Sequence, residues 1–169
     1  LVTWGLMKNV VGIKQELLLS RIGEDATARW VMALLTTARR IDAACAELLA
    51  QHDLSEGRLA ALLAISAEPG LTPRALSDRL EVTSATVTGL LDRLDRDALI
   101  SRRPHSTDRR THTLATTEKA EALLSTLVPI YRDWLRTLGA GVDPSARDSA
   151  ARVFASVQHN LRTRGARDE

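Results

Sequence analysis

Residues 71–97 read LTPRALSDRLEVTSATVTGLLDRLDRD, and their pattern is the most informative of the chain about its architecture. Thr72 is placed to cap a helix that begins at Pro73, since proline at the first helical position loses no needed hydrogen bond. That helix is short and ends near Leu80. A three-residue turn ends in Thr83, which can cap a second, longer helix over 84–97. A short helix, a tight turn and a longer helix are typical of the helix-turn-helix motif.

The segment after this motif predicts a basic β-hairpin. Residues 100–105 and 111–116 alternate in polarity as strands do, and the polar residues 106–110 separate them as a loop. The run 100–116 holds one acid, Asp108, against four arginines, which are Arg102, Arg103, Arg109 and Arg110. The whole chain has a net charge of only +2. A local basic run on a near-neutral chain is typical of a small nucleic-acid contact.

Helices are predicted on both sides of this region. Upstream, a helix over about 25–51 follows a shorter one over 10–19, and Ser55 can cap a helix over 58–66. The apolar stripe of the 25–51 helix is Trp30, Leu34, Ile41, Cys45 and Leu48. Downstream, Thr117 can cap a helix that continues to 138, and another helix is predicted after Asp143-Pro144. The stripe of the last helix is Ala150, Val153, Phe154, Val157 and Leu161.

These elements divide the chain into three regions. Residues 1–54 form N-terminal helices, residues 55–116 a compact central lobe, and residues 117–169 C-terminal helices. The outer helices are long and amphipathic, and the central lobe does not need them to fold. We expect them to pack with a second copy across a two-fold axis. The predicted fold class is therefore all-α with a small β-hairpin and long terminal dimerisation helices.

This arrangement resembles the MarR family of winged helix-turn-helix transcription regulators. The matching segments are 71–76, 82–94, 99–103, 108–110 and 117–119, and the resemblance covers about residues 25–165. It implies a homodimer that binds a palindromic double-stranded DNA operator, most often as a repressor, and that a small molecule releases. The chain departs from the family pattern at four positions: Glu81 replaces the usual Gly, Gly89 stands where many relatives carry Arg, and Thr116 and Ala120 replace Leu and Gly.

The predicted DNA-binding residues lie on the helix-turn-helix and the hairpin. The start of the second helix offers N–H groups to phosphate, and hydroxyls and methyls to base edges. The resemblance implies that Arg109 enters a narrow minor groove and that Arg110 pairs with Asp108 or Asp92 to brace the hairpin. The full set is Thr72, Arg74, Thr83, Ser84, Ala85, Thr86, Thr88, Gly89, Arg93, Arg102, Arg103, Arg109 and Arg110. The alternatives are an ordinary helix with a polar face and a solvated charged loop.

Three further features have more than one interpretation. Gly89 costs about 1 kcal/mol against Ala inside a helix, and either a close approach of DNA or helix packing explains it. Trp30, Tyr131 and Trp134 either line a pocket for a small aromatic or phenolic ligand or belong to the core. Cys45 lies on an apolar stripe with no cation three or four residues away, which favours packing over a reactive thiolate.

Composition and missing motifs narrow the class of protein. The chain has 169 residues, of which 44% are hydrophobic and 26% charged, as in a globular domain. One cysteine excludes a disulfide framework, and no apolar run approaches the roughly 18 residues that span a bilayer. The histidines form no metal signature, and no catalytic or cofactor motif is present, so we expect no enzyme, metal or cofactor. We expect a cytoplasmic protein whose start at Leu1 is processed, truncated or read from an unusual codon. The rival hypothesis is a helical interaction dimer whose winged helix docks on protein.

Overall fold

The computed structural model describes residues 10–23, 25–104 and 112–165. The described residues form seven helices and two strands. In chain order they are α1 (Ile13–Ile22), α2 (Ala26–Ala50), α3 (Glu56–Ala67), α4 (Pro73–Leu80), α5 (Ser84–Arg96), β1 (Ile100–Pro104), β2 (His112–Thr116), α6 (Glu118–Leu138) and α7 (Pro144–Gly165). The predicted all-α fold with a small hairpin is confirmed. No helix among these residues is both long and apolar enough to cross a bilayer.

Side-chain caps set the starts of most helices. In each case an oxygen accepts a hydrogen bond from a backbone N–H of the first turn, which stabilises the helix by about 1 kcal/mol. The capping residues are Asp25, Ser55, Thr72, Thr83 and Thr117. Four of these caps, at Ser55, Thr72, Thr83 and Thr117, are predicted from the sequence and are confirmed. They are predictable because a cap depends only on neighbours about three residues away.

The central lobe is built from α3, α4, α5 and the hairpin around one apolar core. Its fully buried side chains include Leu62, Ile65, Leu76, Leu91, Leu94 and Leu114. The strands β1 and β2 pair antiparallel, from Ile100 opposite Thr116 to Pro104 opposite His112. The loop before α4 joins the sheet, because Gly70 N donates to Leu114 O at 2.9 Å and Leu114 N donates to Leu71 O at 2.9 Å. The middle of β2 is thus hydrogen-bonded to the loop between α3 and α4.

The N-terminal helices differ from the sequence prediction. The first helix spans Ile13–Ile22 rather than 10–19, and it begins after Gly12 without a side-chain cap. Of the stripe predicted for α2, only Cys45 is fully buried within a single chain, at 4% exposure. Trp30, Leu34 and Leu48 are only half-buried and Ile41 is exposed.

A buried ion pair explains this difference. The side chain of Arg29 in α2 is only 3% exposed, and its Nη1 and Nη2 atoms donate to the two carboxylate oxygens of Glu16 in α1, at 2.6 and 3.1 Å. The same face of α2 buries Ala33 and Thr36, and Thr36 Oγ1 accepts from Gly12 N at 3.4 Å. The buried face of α2 is therefore the face that contacts α1, and the apolar pattern of α2 alone does not predict it.

The chain forms two compact units, residues 1–124 and residues 125–169, which divide within α6. The second unit holds the rest of α6 and α7. Many of its large apolar side chains are exposed in the single chain, and Leu135, Phe154 and Leu161 are 49%, 47% and 67% exposed. The apolar stripe predicted for α7 thus exists, and half of Phe154 and most of Leu161 remain uncovered within one chain.

Candidate nucleic-acid interface

The turn between α4 and α5 begins with a residue in the left-handed conformation. Glu81 caps the C-terminus of α4 with φ 53° and ψ 40°, and its N–H bonds to the carbonyls of Ser77 and Asp78. Val82 N also donates to Ser77 O at 3.2 Å. This is the position where the family pattern has glycine, whose missing side chain tolerates the left-handed region. The turn therefore keeps its geometry here in spite of the glutamate.

Threonine hydroxyl groups at the start of α5 form hydrogen bonds within the helix. Thr83 Oγ1 accepts from Thr86 N at 3.2 Å and lies 2.9 Å from Thr86 Oγ1. Thr88 Oγ1 donates to Ser84 O at 2.9 Å. These bonds fix the rotamers of the threonines and leave oxygen lone pairs on an exposed surface. The predicted residues Thr83, Ser84, Ala85, Thr86, Thr88 and Gly89 are all exposed.

The outward ridge of α5 begins with its smallest side chains. Ala85, Gly89, Asp92 and Arg96 follow one another at helical spacing, and all four are exposed. A Cβ atom built at Gly89 meets no atom within 4 Å. Among the described residues nothing packs on Gly89, so helix packing gives no reason for a glycine at this position. The helix backbone is therefore open to a large partner at Ala85 and Gly89.

Residues of α4 meet the start of α5 in an open cleft of about 420 Å³. The cleft brings Arg74 together with Ser84 and Thr88, and Pro73, Ser77, Asp78 and Val87 complete its lining. Thr72 lies at the beginning of α4, where its hydroxyl accepts from Ala75 N at 3.2 Å. Two residues predicted to bind DNA at the start of α4 thus have different places in the structure. The side chain of Arg74 lines the cleft, whereas the hydroxyl of Thr72 caps the helix.

The arginines of the lobe fall into two groups. Arg58, Arg79 and Arg102 form salt bridges with carboxylates. The exposed side chains of a second group form no hydrogen bond or salt bridge with any residue that the structure describes, and this group is Arg74, Arg93, Arg96 and Arg103. Arg96 is absent from the residues predicted from the sequence, although its spacing of seven residues from Gly89 places it on the same ridge.

The hairpin contacts α5 through Arg102. Its Nη2 lies 2.6 Å from Asp92 Oδ1 and its Nε lies 3.3 Å from Asp95 Oδ2. Asp92 thus contacts the wing, as predicted, but through an arginine of β1. The predicted contacts of Arg109, Arg110 and Asp108 fall outside the described residues, and their roles stay predictions.

Glu121 ties the base of the hairpin to α6 and α3. Its Oε1 accepts from Thr116 Oγ1 at 2.6 Å and from Ser66 Oγ at 2.8 Å. The hydrogen bond from Thr116, with that from Ser66, lowers the pKa of Glu121 below its ordinary value. Thr116 replaces the Leu of the family pattern, and its hydroxyl supplies this bond. Ala120, the other departure near this exit, is fully buried.

The residues predicted for a ligand pocket lie on two helices. Tyr131 and Trp134 in α6 are half-buried, with ring centroids 5.2 Å apart and planes tilted by 52°. Trp30 is half-buried in α2. A separate open cleft of about 510 Å³ in the lobe is lined by polar residues such as Arg58, Asp97 and Lys119. In the described part of the chain, no three His, Cys, Asp or Glu side chains group as metal ligands.

Known proteins match both the sequence and the fold. A sequence model described as MarR family matches residues 52–111. The HTH-type transcriptional repressor YetL of Bacillus subtilis (strain 168) is 33% identical over 132 residues, which make up 77% of this chain and 79% of YetL. The HTH-type transcriptional regulator TtmR of Methylorubrum extorquens (strain PA1) is 28% identical over 117 residues, and the match covers 67% of this chain and 60% of TtmR.

Solved structures have the same fold at lower identity. The S. aureus MepR–DNA complex aligns with a TM-score of 0.67 and 20% identity, covering 76% of this chain and 94% of that one. Wild-type MarR in its apo form from E. coli aligns with a TM-score of 0.61 and 20% identity, covering 73% and 93%.

A helix-turn-helix with an exposed second helix, followed by a two-stranded hairpin, defines a winged helix-turn-helix DNA-binding regulator. The similarity to YetL adds the family. The chain belongs to the MarR family of transcription regulators, which bind DNA and are not enzymes.

Proposed function

We propose that this chain acts in the cytoplasm as a homodimeric repressor, which binds a palindromic double-stranded DNA operator and is released by a small molecule. The observation that carries the proposal is the surface of α5, where a ridge that starts with Ala85 and Gly89 lies open. Small side chains at this position let the major-groove surface approach the helix backbone. The similarity to YetL, which is a transcriptional repressor, supports the direction of regulation.

The proposed DNA contacts fall into three groups. Ser84, Ala85, Thr86, Thr88 and Gly89 face base edges. A second group contacts phosphates and orients the lobe, and it consists of Thr72, Arg74, Thr83, Arg93 and Arg103. On the wing, Arg109 enters the minor groove, and Arg110 with Asp108 keeps the hairpin rigid. Arg102 and Asp92 lie on the same surface and are bonded to each other.

The dimer proposal rests on exposed apolar side chains. Leu135, Phe154 and Leu161 are each about half exposed or more in the single chain, and exposed apolar patches of this kind are typical of interaction surfaces. We propose that residues 1–54 and 117–169 form the dimer and that residues 55–116 bind DNA. Two lobes related by a two-fold axis then meet half-sites about 34 Å apart, which is one turn of DNA.

Release requires a ligand that prefers a second arrangement of the dimer. We propose that this ligand is a small aromatic or phenolic molecule bound by the rings predicted from the sequence, and the support is that Tyr131 and Trp134 lie against each other within α6, with ring centroids 5.2 Å apart. Such a molecule shifts DNA affinity only by its differential binding to the two arrangements.

A binding titration tests the proposal directly. Fluorescence anisotropy is measured with a duplex from the promoter of the protein's own gene and with a scrambled duplex of equal length, at several salt concentrations. We expect tighter binding to the promoter duplex and a log–log salt slope that indicates several phosphate contacts. Equal weak binding to both duplexes would instead favour the rival hypothesis, in which the winged helix docks on protein.

A matched pair of variants tests the wing. Arg109→Ala should weaken promoter binding and flatten the salt slope by roughly one unit, with an unchanged melting temperature. Arg110→Ala should lower both the affinity and the melting temperature, because a brace of the hairpin is lost. Wild-type binding by Arg109→Ala at every salt concentration would exclude a wing contact.

A further inference from the structure

Arg102 differs from the other arginines on the DNA-facing surface because carboxylates surround it. Its Nη2 and Nε atoms lie 2.6 and 3.3 Å from Asp92 and Asp95, one helical turn apart on α5. The Arg102 side chain is 32% exposed, and those of Asp92 and Asp95 are 54% and 48% exposed. The guanidinium of Arg102 is therefore the shared ion-pair partner of two carboxylates that are about half exposed to solvent.

The two carboxylates lie where DNA is expected. Asp92 follows Gly89 on the outward ridge of α5, and Asp95 lies one turn further along. DNA carries one negative charge for every 1.7 Å or so of its axis, so an unpaired carboxylate on this ridge repels it. The recognition helix thus carries two charges of the wrong sign for its proposed partner.

We propose that Arg102 is an internal counter-ion of the recognition helix: it neutralises Asp92 and Asp95 so that α5 can approach DNA, and it does not act through a phosphate contact of its own. This inference rests on the proposed DNA-binding function. In this role Arg102 is a positioning residue for α5, because its charge neutralises carboxylates of the protein and not a phosphate of the DNA.

The neighbouring arginine provides a matched control. Arg103 is also in β1, but successive side chains of a strand point to opposite faces. The Arg103 side chain is exposed and forms no ion pair with the described residues. Replacing either arginine removes the same charge from the same strand, yet only the loss of Arg102 takes away an ion-pair partner that the structure gives to both Asp92 and Asp95.

The test is a double-mutant cycle measured by fluorescence anisotropy on the promoter duplex. Arg102→Gln is made in the wild-type background and in an Asp92→Asn, Asp95→Asn background, and Arg103→Gln is made in both as the control. Glutamine keeps much of the aliphatic stem, and thermal melts check that each variant folds.

We expect Arg102→Gln to weaken binding about tenfold in the wild-type background, because two like charges then face the DNA. In the asparagine background the same substitution should cost less than about threefold, because nothing remains to neutralise. The asparagine variant alone should bind at least as tightly as the wild type. Arg103→Gln should cost the same in both backgrounds.

Three results would overturn the inference. An equal cost of Arg102→Gln in both backgrounds indicates a direct phosphate contact. Weaker binding by the asparagine variant alone indicates that the ion pairs act as a mechanical brace of the hairpin. No effect of Arg102→Gln in either background shows that the carboxylates do not face DNA. In each case a wild-type protein that still prefers the promoter duplex leaves the proposed function standing, whereas loss of that preference overturns both.

Discussion

The substitution Gly89→Ala should change protein stability and DNA affinity in opposite directions. Gly89 lies inside α5, and a Cβ atom at this position meets nothing within 4 Å. The methyl group therefore causes no clash in the free protein. Replacing an interior helical glycine by alanine then stabilises the helix by about 1 kcal/mol, because alanine loses less backbone entropy on folding. For a chain of this size that gain raises the melting temperature by about 2–4 °C.

Gly89→Ala should lower the affinity for DNA. If the backbone at Gly89 touches the DNA surface, the added methyl group holds α5 away from it and disturbs neighbouring base contacts. We expect a loss of about 1–3 kcal/mol on the promoter duplex, the size of one mismatched base pair, and a smaller loss on scrambled DNA.

Gly57→Ala serves as the control for this prediction. Gly57 is also helical, but a Cβ atom there lies 3.3 Å from Leu90 Cδ2, so the neighbouring side chain must shift. We expect a smaller gain in melting temperature or a loss, with unchanged DNA affinity. Thermal melts and anisotropy titrations measure both quantities. A Gly89→Ala protein that is more stable and binds the promoter duplex like the wild type would refute the close approach of DNA to this ridge.

Three other substitutions test separate features. Glu81→Gly should raise the unfolding free energy by up to about 1 kcal/mol in urea titrations, since Glu81 has φ 53° and glycine relieves that strain; a clear loss would show that the glutamate side chain stabilises the turn. Glu121→Gln should destabilise the protein near neutral pH but not in acid. The hydrogen bond from Thr116 lowers the pKa of Glu121 in the folded state. The ionised carboxylate therefore stabilises the fold above its ordinary pKa of 4.5, and this stabilisation is lost as the pH falls through the folded pKa. Equal destabilisation by Glu121→Gln at about pH 7 and about pH 3 would contradict this assignment. Phe154→Glu should convert the dimer to monomer in sedimentation experiments, whereas Ser156→Glu, the same new charge at an exposed polar position on the opposite side of α7, should leave it intact. A Phe154→Glu protein that remains dimeric would exclude this face from the interface.

Features that depend on near neighbours could be predicted from the sequence. The caps at Ser55, Thr72, Thr83 and Thr117 depend on groups three residues away, so they indicate the helix starts that the structure shows. The alternation over 100–116 likewise predicts the hairpin, because strand pairing across a short loop is also local.

Features that depend on distant partners could not be predicted. Burial of Arg29 depends on Glu16 in another helix, and a charged residue gives no sign of burial in its own helix. Arg102 carries the same charge as Arg103, and only the packing of β1 on α5 separates the one bound to carboxylates from the one exposed to solvent. The left-handed conformation of Glu81 was also hidden, since glutamate rarely adopts it.

The backbone bonds between the 70–71 loop and Leu114 have a consequence for the order of folding. The partners are more than forty residues apart in the chain, and both bonds, Gly70 N to Leu114 O and Leu114 N to Leu71 O, are 2.9 Å long. Contacts of such separation form late, since the loop between them must first lose its entropy. We therefore expect β2 to complete its hydrogen bonds to this loop after the local contacts of α3 and α4 have formed. A chimera that exchanges the wing with a relative must keep the backbone of residues 70–71 beside the transplanted strand, or that strand loses two hydrogen bonds outside the hairpin.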